Sequence, residues 1–364
     1  MTLGTLIRIR NISKLSPFRM IVAPVTMSNR PVSRISLRDF DARKDQIGKE
    51  LIEAAENVGF FILVDQERPS KQEIEEMFDL SAKYFVLPDN VKSQYPFIRE
   101  QNSGWEKDAQ IRPSTGVADP KESLQLQYFR RNTYWPKDLP DIPEFHGTCL
   151  KFMESVQDLS MKILSFFAAA LGFPPSFFSD AHDLSSEDCL STLRLLRYHG
   201  ITGKVSDMPE WRAGAHTDFD VLTLLFQETG GDGLEVCPGR EAHTSFAQGD
   251  DWTAVPARTG EITVNIGRAR RMFVFIIHRG RLTSLRLGDM LMAWSDDRFK
   301  SLYHRVKAPR PDGNLKARNS MAYFNQPRPH ILIEGPTKKY EALSASQYIL
   351  NAMKRYYQPT EIPK

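Results

Sequence analysis

The chain has 364 residues, 41% of them hydrophobic and 26% charged, a composition typical of a globular protein with a sizeable core. No apolar run approaches the ~18–20 residues that cross a bilayer, and three scattered cysteines without CxxC spacing argue against a disulfide framework or zinc ribbon. The net charge is +3, but two segments without acidic residues, 1–38 and 268–288, carry thirteen Arg and Lys residues. Without them the net charge of the rest of the chain is −10, so the basic balance does not indicate nucleic-acid binding.

Residues 1–31 have no helical or strand period that continues into the rest of the chain. They are Arg-rich and acid-poor, as mitochondrial transit peptides are, but a clear amphipathic arginine face is missing. We therefore interpret the segment as a disordered extension, or as the product of a start codon upstream of the true one at Met20 or Met27. This favours a cytoplasmic protein over a mitochondrial one, with no membrane partner and a monomer as the default.

The next region, 32–147, begins with regular elements. The apolar spacing over 45–58 predicts a helix with Gly59 as a C-cap, followed by a buried strand over 60–64. A capping box formed by Ser70 and Glu73 opens a second predicted helix that runs to about Phe85. Residues 89–145 are rich in Pro, Gln and aromatics, which predicts loops with short strands.

A long helix is predicted over 148–171, ended by the sequence Gly-Phe-Pro-Pro, and a linker follows to residue 189. After about residue 190 the sequence changes to short β-type runs separated by Gly, Pro and Asp. These runs are 193–198, 221–226, 261–266, 290–294, 301–306 and 320–325. Many short strands with turn residues between them predict an antiparallel sandwich or barrel, closed by a final helix near 345–357.

Candidate metal ligands occur in two of these runs. His216 and Asp218 form the only His-x-Asp of the chain, and on a strand residues i and i+2 point to the same face. His304, in the 301–306 run, is the best candidate for a third ligand. Two imidazoles and one carboxylate on one side of a ferrous ion leave the other side open for oxygen and a co-substrate. Hydrogen-bonded core histidines are the alternative interpretation of the same residues.

Arg318 and Ser320 follow fourteen and sixteen residues after His304 on the next predicted strand. They face the same side, and a guanidinium can hold a carboxylate through two parallel hydrogen bonds. Arg-x-Ser occurs four times in the chain, so its position after the distal histidine carries the information. Tyr198, at the end of the 193–198 run, is a further candidate for this carboxylate site.

Six segments in this order resemble the isopenicillin-N-synthase-like family of 2-oxoglutarate/Fe(II) dioxygenases. The segments are LRLLRYHG (193–200), AHTDFDVLTLLFQ (215–227), GDGLEV (231–236), VNIG (264–267), DMLMAWSDDRFKSLYHRV (289–306) and ARNSMAYF (317–324), and ISLRDFD (35–41) with NVGFFILVD (57–65) resembles the family's opening. The resemblance implies a mainly β fold with flanking helices, a double-stranded β-helix or distorted jelly roll. Its core is expected at 190–328, between the long helix and linker of 148–189 and a C-terminal helix within 329–364.

By position, the resemblance implies that His216, Asp218 and His304 bind Fe(II). It also implies that Arg318 and Ser320, with Tyr198 beside them, bind 2-oxoglutarate as co-substrate. The implied reaction consumes O2, releases succinate and CO2, and hydroxylates, desaturates or cyclises a small organic metabolite, as enzymes of specialised metabolism do. Candidate apolar walls for the substrate are Trp105, Phe129, Phe219 and Phe324.

The segment 268–288 interrupts the family pattern. Its removal leaves VNIGDMLMAWSDD, in which the family has a strand, a tight turn and a strand. The segment contains an apolar, β-prone run over 272–277, which a surface loop rarely keeps because such runs aggregate. We hypothesise a retained intron translated in frame, with a genuine lid loop as the alternative. In a real insertion we expect displacement of the His304 strand.

Three other functions remain open at this point. One is an Fe(II)/O2 oxidase of the isopenicillin N synthase type that does not use 2-oxoglutarate. Another is a zinc hydrolase, because zinc also accepts two His and one Asp, although no motif for a general base is visible. The third is an inactive relic of the fold.

Overall fold

A computed structural model describes most of the chain, all of it within the compact unit Pro31–Lys364. The described residues are 32–112, 114–201, 210–218, 220–237, 247, 250–266, 274–278, 281–285, 290–299, 302–309 and 315–356. The expectations for residues 1–31 and for Phe219 lie outside these ranges. Among the described residues, no helix is long and apolar enough to cross a membrane.

The strands of the described residues are short, and most lie in the second half of the chain. In chain order they are β1 (Ser33–Ser36), β2 (Phe60–Val64), β3 (Gly104–Lys107), β4 (Lys121–Gln127), β5 (Thr192–Tyr198), β6 (Trp211–His216), β7 (Leu222–Gln227), β8 (Leu234–Cys237), β9 (Thr253–Ala254), β10 (Ile262–Ile266), β11 (Val274–His278), β12 (Arg281–Leu285), β13 (Tyr303–Lys307), β14 (Arg318–Phe324), β15 (Leu332–Ile333) and β16 (Leu343–Ser344).

The helices of the described residues lie mostly in the first half. In chain order they are α1 (Lys44–Asn57), α2 (Lys71–Val86), α3 (Asp89–Lys92), α4 (Phe145–Leu171), α5 (Phe177–Ala181), α6 (Met290–Trp294) and α7 (Ala345–Tyr356), with 3₁₀ turns at Arg99–Gln101 and Tyr128–Arg130. The predicted capping box at Ser70 is present at the start of α2. The long helix α4 starts three residues earlier than predicted and ends at Gly172, whose φ of 74° suits glycine.

Two β-sheets enclose the centre of the molecule. The larger has eight strands in the order β1-β2-β10-β7-β14-β5-β4-β3, and the smaller has four in the order β6-β13-β8-β9. Apolar side chains of both sheets meet in shared clusters, for example Phe60 and Ile62 with Leu234 and Val236. The predicted double-stranded β-helix is confirmed, because two facing sheets with mostly antiparallel neighbours form the core.

Alternation along the strands separates a helix-packed face from a cavity face. On β5, Leu193 and Leu195 belong to the large core that also contains the buried faces of α1, α2 and α4. The residues between and after them, Arg194, Leu196 and Tyr198, line the central cavity instead. The larger sheet is therefore covered by helices on one face and bounds the candidate site with the other.

One predicted strand is a helix. Residues 290–294 were expected to be β, but Met290–Trp294 forms α6. Met, Leu and Ala favour helix, and in a five-residue apolar run the strand and helix periods are hard to distinguish. Met290, Leu291, Ala293 and Trp294 are buried, so their burial suits either conformation. The expected strand, tight turn and strand pattern around the 268–288 segment is therefore wrong on its second strand.

The 268–288 segment contains a hairpin of its own. β11 pairs with β12 from Val274 opposite Leu285 to His278 opposite Arg281, and among the described strands neither pairs with another strand. The expected displacement of the His304 strand is not found, because β13 still pairs with β6 and places His304 opposite His216.

Candidate metal centre and its cavity

The three predicted metal ligands lie together. His216 is the last residue of β6, His304 lies directly opposite it on β13, and their ring centroids are 4.1 Å apart. Asp218 lies two residues past the end of β6, so it reaches the site from the following turn and not, as expected, from the strand itself. One ligand atom from each of the three residues lies within 4.8 Å of the others, a spacing suited to one shared ion.

Hydrogen bonds orient two of these side chains. Nδ1 of His216 donates to the backbone oxygen of Gly214 over 2.7 Å, which leaves Nε2 with a free lone pair. Oδ2 of Asp218 accepts from Oγ1 of Thr223 at 2.6 Å and from Nδ2 of Asn265 at 2.9 Å. The other oxygen, Oδ1, is 3.7 Å from Nε2 of His304. The ligand atoms of His216, Asp218 and His304 therefore face one another, whereas Nδ1 of His216 and Oδ2 of Asp218 are hydrogen-bonded to the surrounding protein.

Burial and neighbouring charges set the protonation of the centre. Burial, with Arg112 and His304 nearby, holds the pKa of His216 well below its usual value, and burial also lowers the pKa of His304. Burial opposes ionisation of Asp218, but His304 and the hydrogen bonds from Thr223 and Asn265 outweigh it and lower the pKa of that carboxyl. The favoured forms are two neutral imidazoles and a carboxylate, which are the forms that bind metals.

The donor set fits a ferrous ion. Two imidazole nitrogens and one carboxylate oxygen on one side of an ion form the facial arrangement that non-haem Fe(II) oxygenases use. Nδ1 of His304 is buried and has no hydrogen-bond partner among the described residues, so its orientation is set by packing. Among the residues that the structure describes, no other His, Cys, Asp or Glu group has metal-binding geometry.

Close approach of a loop to β6 requires Gly214. A Cβ at this position would lie 2.6 Å from Oγ of Ser114 and 2.7 Å from Cγ2 of Thr115, and 3.2 Å from Cβ of Arg112. Only glycine leaves room for this loop beside the strand that carries His216. The loop thereby brings Arg112 to the wall of the cavity.

The predicted carboxylate site lies on the larger sheet. Arg318 is opposite Tyr198, and its guanidinium donates from Nε to the Gly231 oxygen at 2.6 Å, from Nη2 to Gln227 at 2.8 Å and from Nη1 to Oγ of Ser320 at 3.3 Å. A guanidinium has five N–H groups, so these three bonds do not use all of its donors, and a carboxylate can accept from those that remain. Burial lowers the pKa of Arg318, with Tyr198 opposing, and an anion would offset that burial.

A cavity that is partly open to solvent connects the two sites. Its wall contains all six predicted site residues, together with further apolar and charged side chains from both sheets. The further residues are Phe60, Arg112, Arg194, Leu196, Thr223, Leu225, Leu234, Asn265, Val306, Ala322 and Phe324.

Of the aromatic walls proposed from the sequence, Phe324 lines the cavity. Trp105 does not, because it pairs with Leu124 and so faces the helix-packed side, where it packs against the core and donates to Glu122. Phe129 lies in a 3₁₀ turn with its ring against Arg130 and also does not line the cavity.

Sequence reasoning did not single out several residues of the site. Thr223 and Asn265 hold Asp218, and both lie inside motifs already quoted, so their inward alternation was a usable signal. Gln227 holds Arg318 and also lies in such a motif. Arg194 lies inside LRLLRYHG and shares the face of Tyr198, so alternation was a usable signal for it as well. Arg112 lies outside these motifs and carried no signal, since arginine is usually exposed.

Comparison with known proteins adds two family matches. Residues 31–142 match the family described as "non-haem dioxygenase in morphine synthesis N-terminal", and residues 191–327 match the 2OG-Fe(II) oxygenase superfamily. The candidate metal ligands and Arg318 all lie within residues 191–327, the region that matches the second of these families.

Individual proteins agree with these matches. A UPF0676 protein of Schizosaccharomyces pombe is 32% identical over 83% of this chain and 85% of its own. The 2-oxoglutarate-Fe(II) type oxidoreductase ppzD of Metarhizium rileyi is 28% identical over 82% of this chain and 83% of its own. In fold, the chain is similar to a Neurospora crassa protein whose crystal structure contains alpha-KG and thymine, with a TM-score of 0.72 and 23% identity over 92% of this chain and 99% of that one.

Proposed function

Because this chain belongs to the isopenicillin-N-synthase-like 2-oxoglutarate/Fe(II) oxygenases, we propose that His216, Asp218 and His304 bind its ferrous ion. The protein is an oxidoreductase that oxidises a small organic molecule with Fe(II), 2-oxoglutarate and O2. The convergence of the three ligand atoms within 4.8 Å, on the wall of a cavity that also contains Arg318, carries the residue assignment.

The protein's own part in the reaction is to bind and to orient. When bound, Fe(II) and 2-oxoglutarate supply the activation of O2, with release of succinate and CO2. His216 is held by Gly214 in the tautomer that presents Nε2 to an ion, and Thr223 and Asn265 fix one oxygen of Asp218 so that the other faces the histidines.

We assign the distal carboxylate of 2-oxoglutarate to Arg318, with Ser320 and Tyr198 beside it. Gln227 and the Gly231 oxygen fix the guanidinium plane, so it does not reorganise when the carboxylate binds. The large apolar share of the wall, including Leu196, Leu225 and Phe324, excludes water from the reacting centre.

A turnover assay tests the proposed function. The purified chain is incubated with Fe(II), O2 and labelled 2-oxoglutarate against a panel of small hydrophobic metabolites, and succinate is measured. We expect substrate-dependent succinate that requires both Fe(II) and O2. Substrate oxidation without succinate would instead identify an oxidase that does not use 2-oxoglutarate. Hydrolysis of a substrate by the zinc-loaded chain, without Fe(II), would identify a hydrolase.

We further propose that the 268–288 segment is a retained intron. The hairpin β11–β12 pairs with no other described strand, which is what a segment foreign to the fold would do. Sequencing of the mature transcript is expected to find messages that lack these 63 nucleotides. Transcripts that all keep the segment would show that it is a genuine part of the protein.

The remaining assignments concern the whole chain. We propose the jelly-roll core at 190–328, preceded by an N-terminal region at 32–147 and by a long helix and linker at 148–189, and followed by a C-terminal helix within 329–364. We also propose a monomeric protein of the cytoplasm. The three free, buried cysteines support a reducing compartment.

A further inference from the structure

An arginine that oxygen activation does not need lines the same cavity. Arg194 lies on β5, and its side chain is 11% exposed. Its Nε is sealed from solvent and has no hydrogen-bond acceptor among the described residues. Its Nη2 lies 3.7 Å from Oε1 of Glu106, beyond hydrogen-bond length. A buried charged donor without an acceptor is costly, so this part of the wall suits a ligand that supplies one.

A second unsatisfied donor lies beside Arg194. Gln125 is directly opposite it on β4, and Nε2 of Gln125 is also buried without a partner among the residues described. Directly opposed residues of an antiparallel pair point to the same face with Cβ atoms about 5 Å apart. Two N–H donors that lack acceptors therefore lie next to each other on one face of the larger sheet, with Arg194 on the cavity wall and Gln125 beside it.

This pair of donors is distinct from the 2-oxoglutarate site. In the register of β5 and β14, Tyr198 is opposite Arg318, whereas Arg194 is opposite Ala322. Four residues along a strand correspond to about 13 Å. Arg194 and Arg318 are therefore attached to the larger sheet at positions about 13 Å apart.

The charge balance on this side of the cavity is positive. Three cations, Arg112, Lys121 and Arg194, have two carboxylates near them, Asp119 and Glu106. Asp119 is shared between Arg112 and Lys121 at 2.9 and 2.8 Å. Fe(II) and 2-oxoglutarate bring equal and opposite charges, so their binding does not neutralise Arg194.

We propose that the substrate is an organic monocarboxylate and that Arg194 and Gln125 bind its carboxylate. This inference rests on the proposed function, because it names the substrate class of the same cavity. A carboxylate accepts two hydrogen bonds from a guanidinium and neutralises it. The corresponding ester lacks the charge and does not neutralise the guanidinium, so the site discriminates against it.

Calorimetric titrations without oxygen test the inference by binding alone. The chain loaded with Fe(II) and 2-oxoglutarate is titrated with benzoate, phenylacetate and hexanoate and with their methyl esters. We expect at least one acid to bind about tenfold or more tightly than its own ester, the effect of one charge-assisted contact. Arg194→Met is expected to lose this preference. The matched control is Arg197→Met, on the same strand but outside the cavity wall, and it is expected to keep the preference.

Arg194→Lys provides a second variant if the methionine protein does not fold. It retains the charge but not the bidentate geometry of a guanidinium. This variant should therefore still bind acids more tightly than esters, but with an affinity for acids several-fold weaker than that of the parent. Failure of every acid to bind better than its ester, or an undiminished preference in Arg194→Met, would overturn the carboxylate site. Titration of 2-oxoglutarate into the Fe(II)-loaded chain separates the two proposals, since absence of that binding contradicts the proposed function itself.

Discussion

Replacement of His216 by alanine is expected to abolish both iron binding and turnover. His216 supplies one of three ligands, and its loss leaves Asp218 and His304 as an incomplete set. Alanine also removes the imidazole that is hydrogen-bonded to the Gly214 oxygen, so no side chain remains to present a nitrogen from the end of β6. Iron content by elemental analysis and succinate release in the turnover assay measure the two effects.

The matched control for this experiment is His330→Ala. His330 is 61% exposed and pairs with Asp188 at the surface, so its loss should leave iron content and turnover unchanged. Circular dichroism shows whether His216→Ala is folded. Iron content close to that of the parent in a folded His216→Ala protein would contradict the assignment of the centre.

Arg318→Lys is expected to weaken the binding of 2-oxoglutarate by about 1–3 kcal/mol, or roughly 5- to 150-fold in affinity. Lysine keeps the positive charge but replaces a planar fork with a single point donor. It also loses the fixed geometry set by Gln227 and the Gly231 oxygen. Calorimetric titration of 2-oxoglutarate into the Fe(II)-loaded protein measures the change.

The same conservative change at Arg197 serves as the comparison for Arg318→Lys. Arg197 lies on the neighbouring strand, opposite Asn319, and is not among the residues that line the cavity. Arg197→Lys is expected to bind 2-oxoglutarate as the parent does. Unchanged affinity in Arg318→Lys would instead require another residue to bind the distal carboxylate.

Much of the fold was predictable because local signals and burial agreed. The capping box at Ser70 and the apolar period of α4 each predicted a helix that is present. The order and spacing of the candidate metal ligands and of Arg318 along the chain indicated which residues would lie in one site. The pairing of β6 with β13, which places His216 opposite His304, was not predictable, however, because a sequence does not specify which strands pair.

The parts that were missed have a common physical origin. β4 reads KESLQLQ, with charged and amide side chains, yet all seven residues are buried, because its polar side chains bond to neighbouring segments, as Lys121 does to Gln110 and Asp119. A hydrophobic pattern does not predict such a strand, because its polar partners come from distant segments. The same reason hid Arg194 and Gln125, whose importance depends on a cross-strand neighbour. For α6, the apolar run was too short for the period to distinguish helix from strand.

The anchoring of the three candidate ligands has a mechanical consequence. His216 and His304 belong to the four-stranded sheet, whereas Asp218 is fastened to Thr223 and Asn265 of the eight-stranded sheet. A cation shared by all three cross-links the two layers at one point. Part of its binding free energy therefore acts against separation of the layers, and iron should raise the melting temperature of the whole sandwich as well as complete the catalyst.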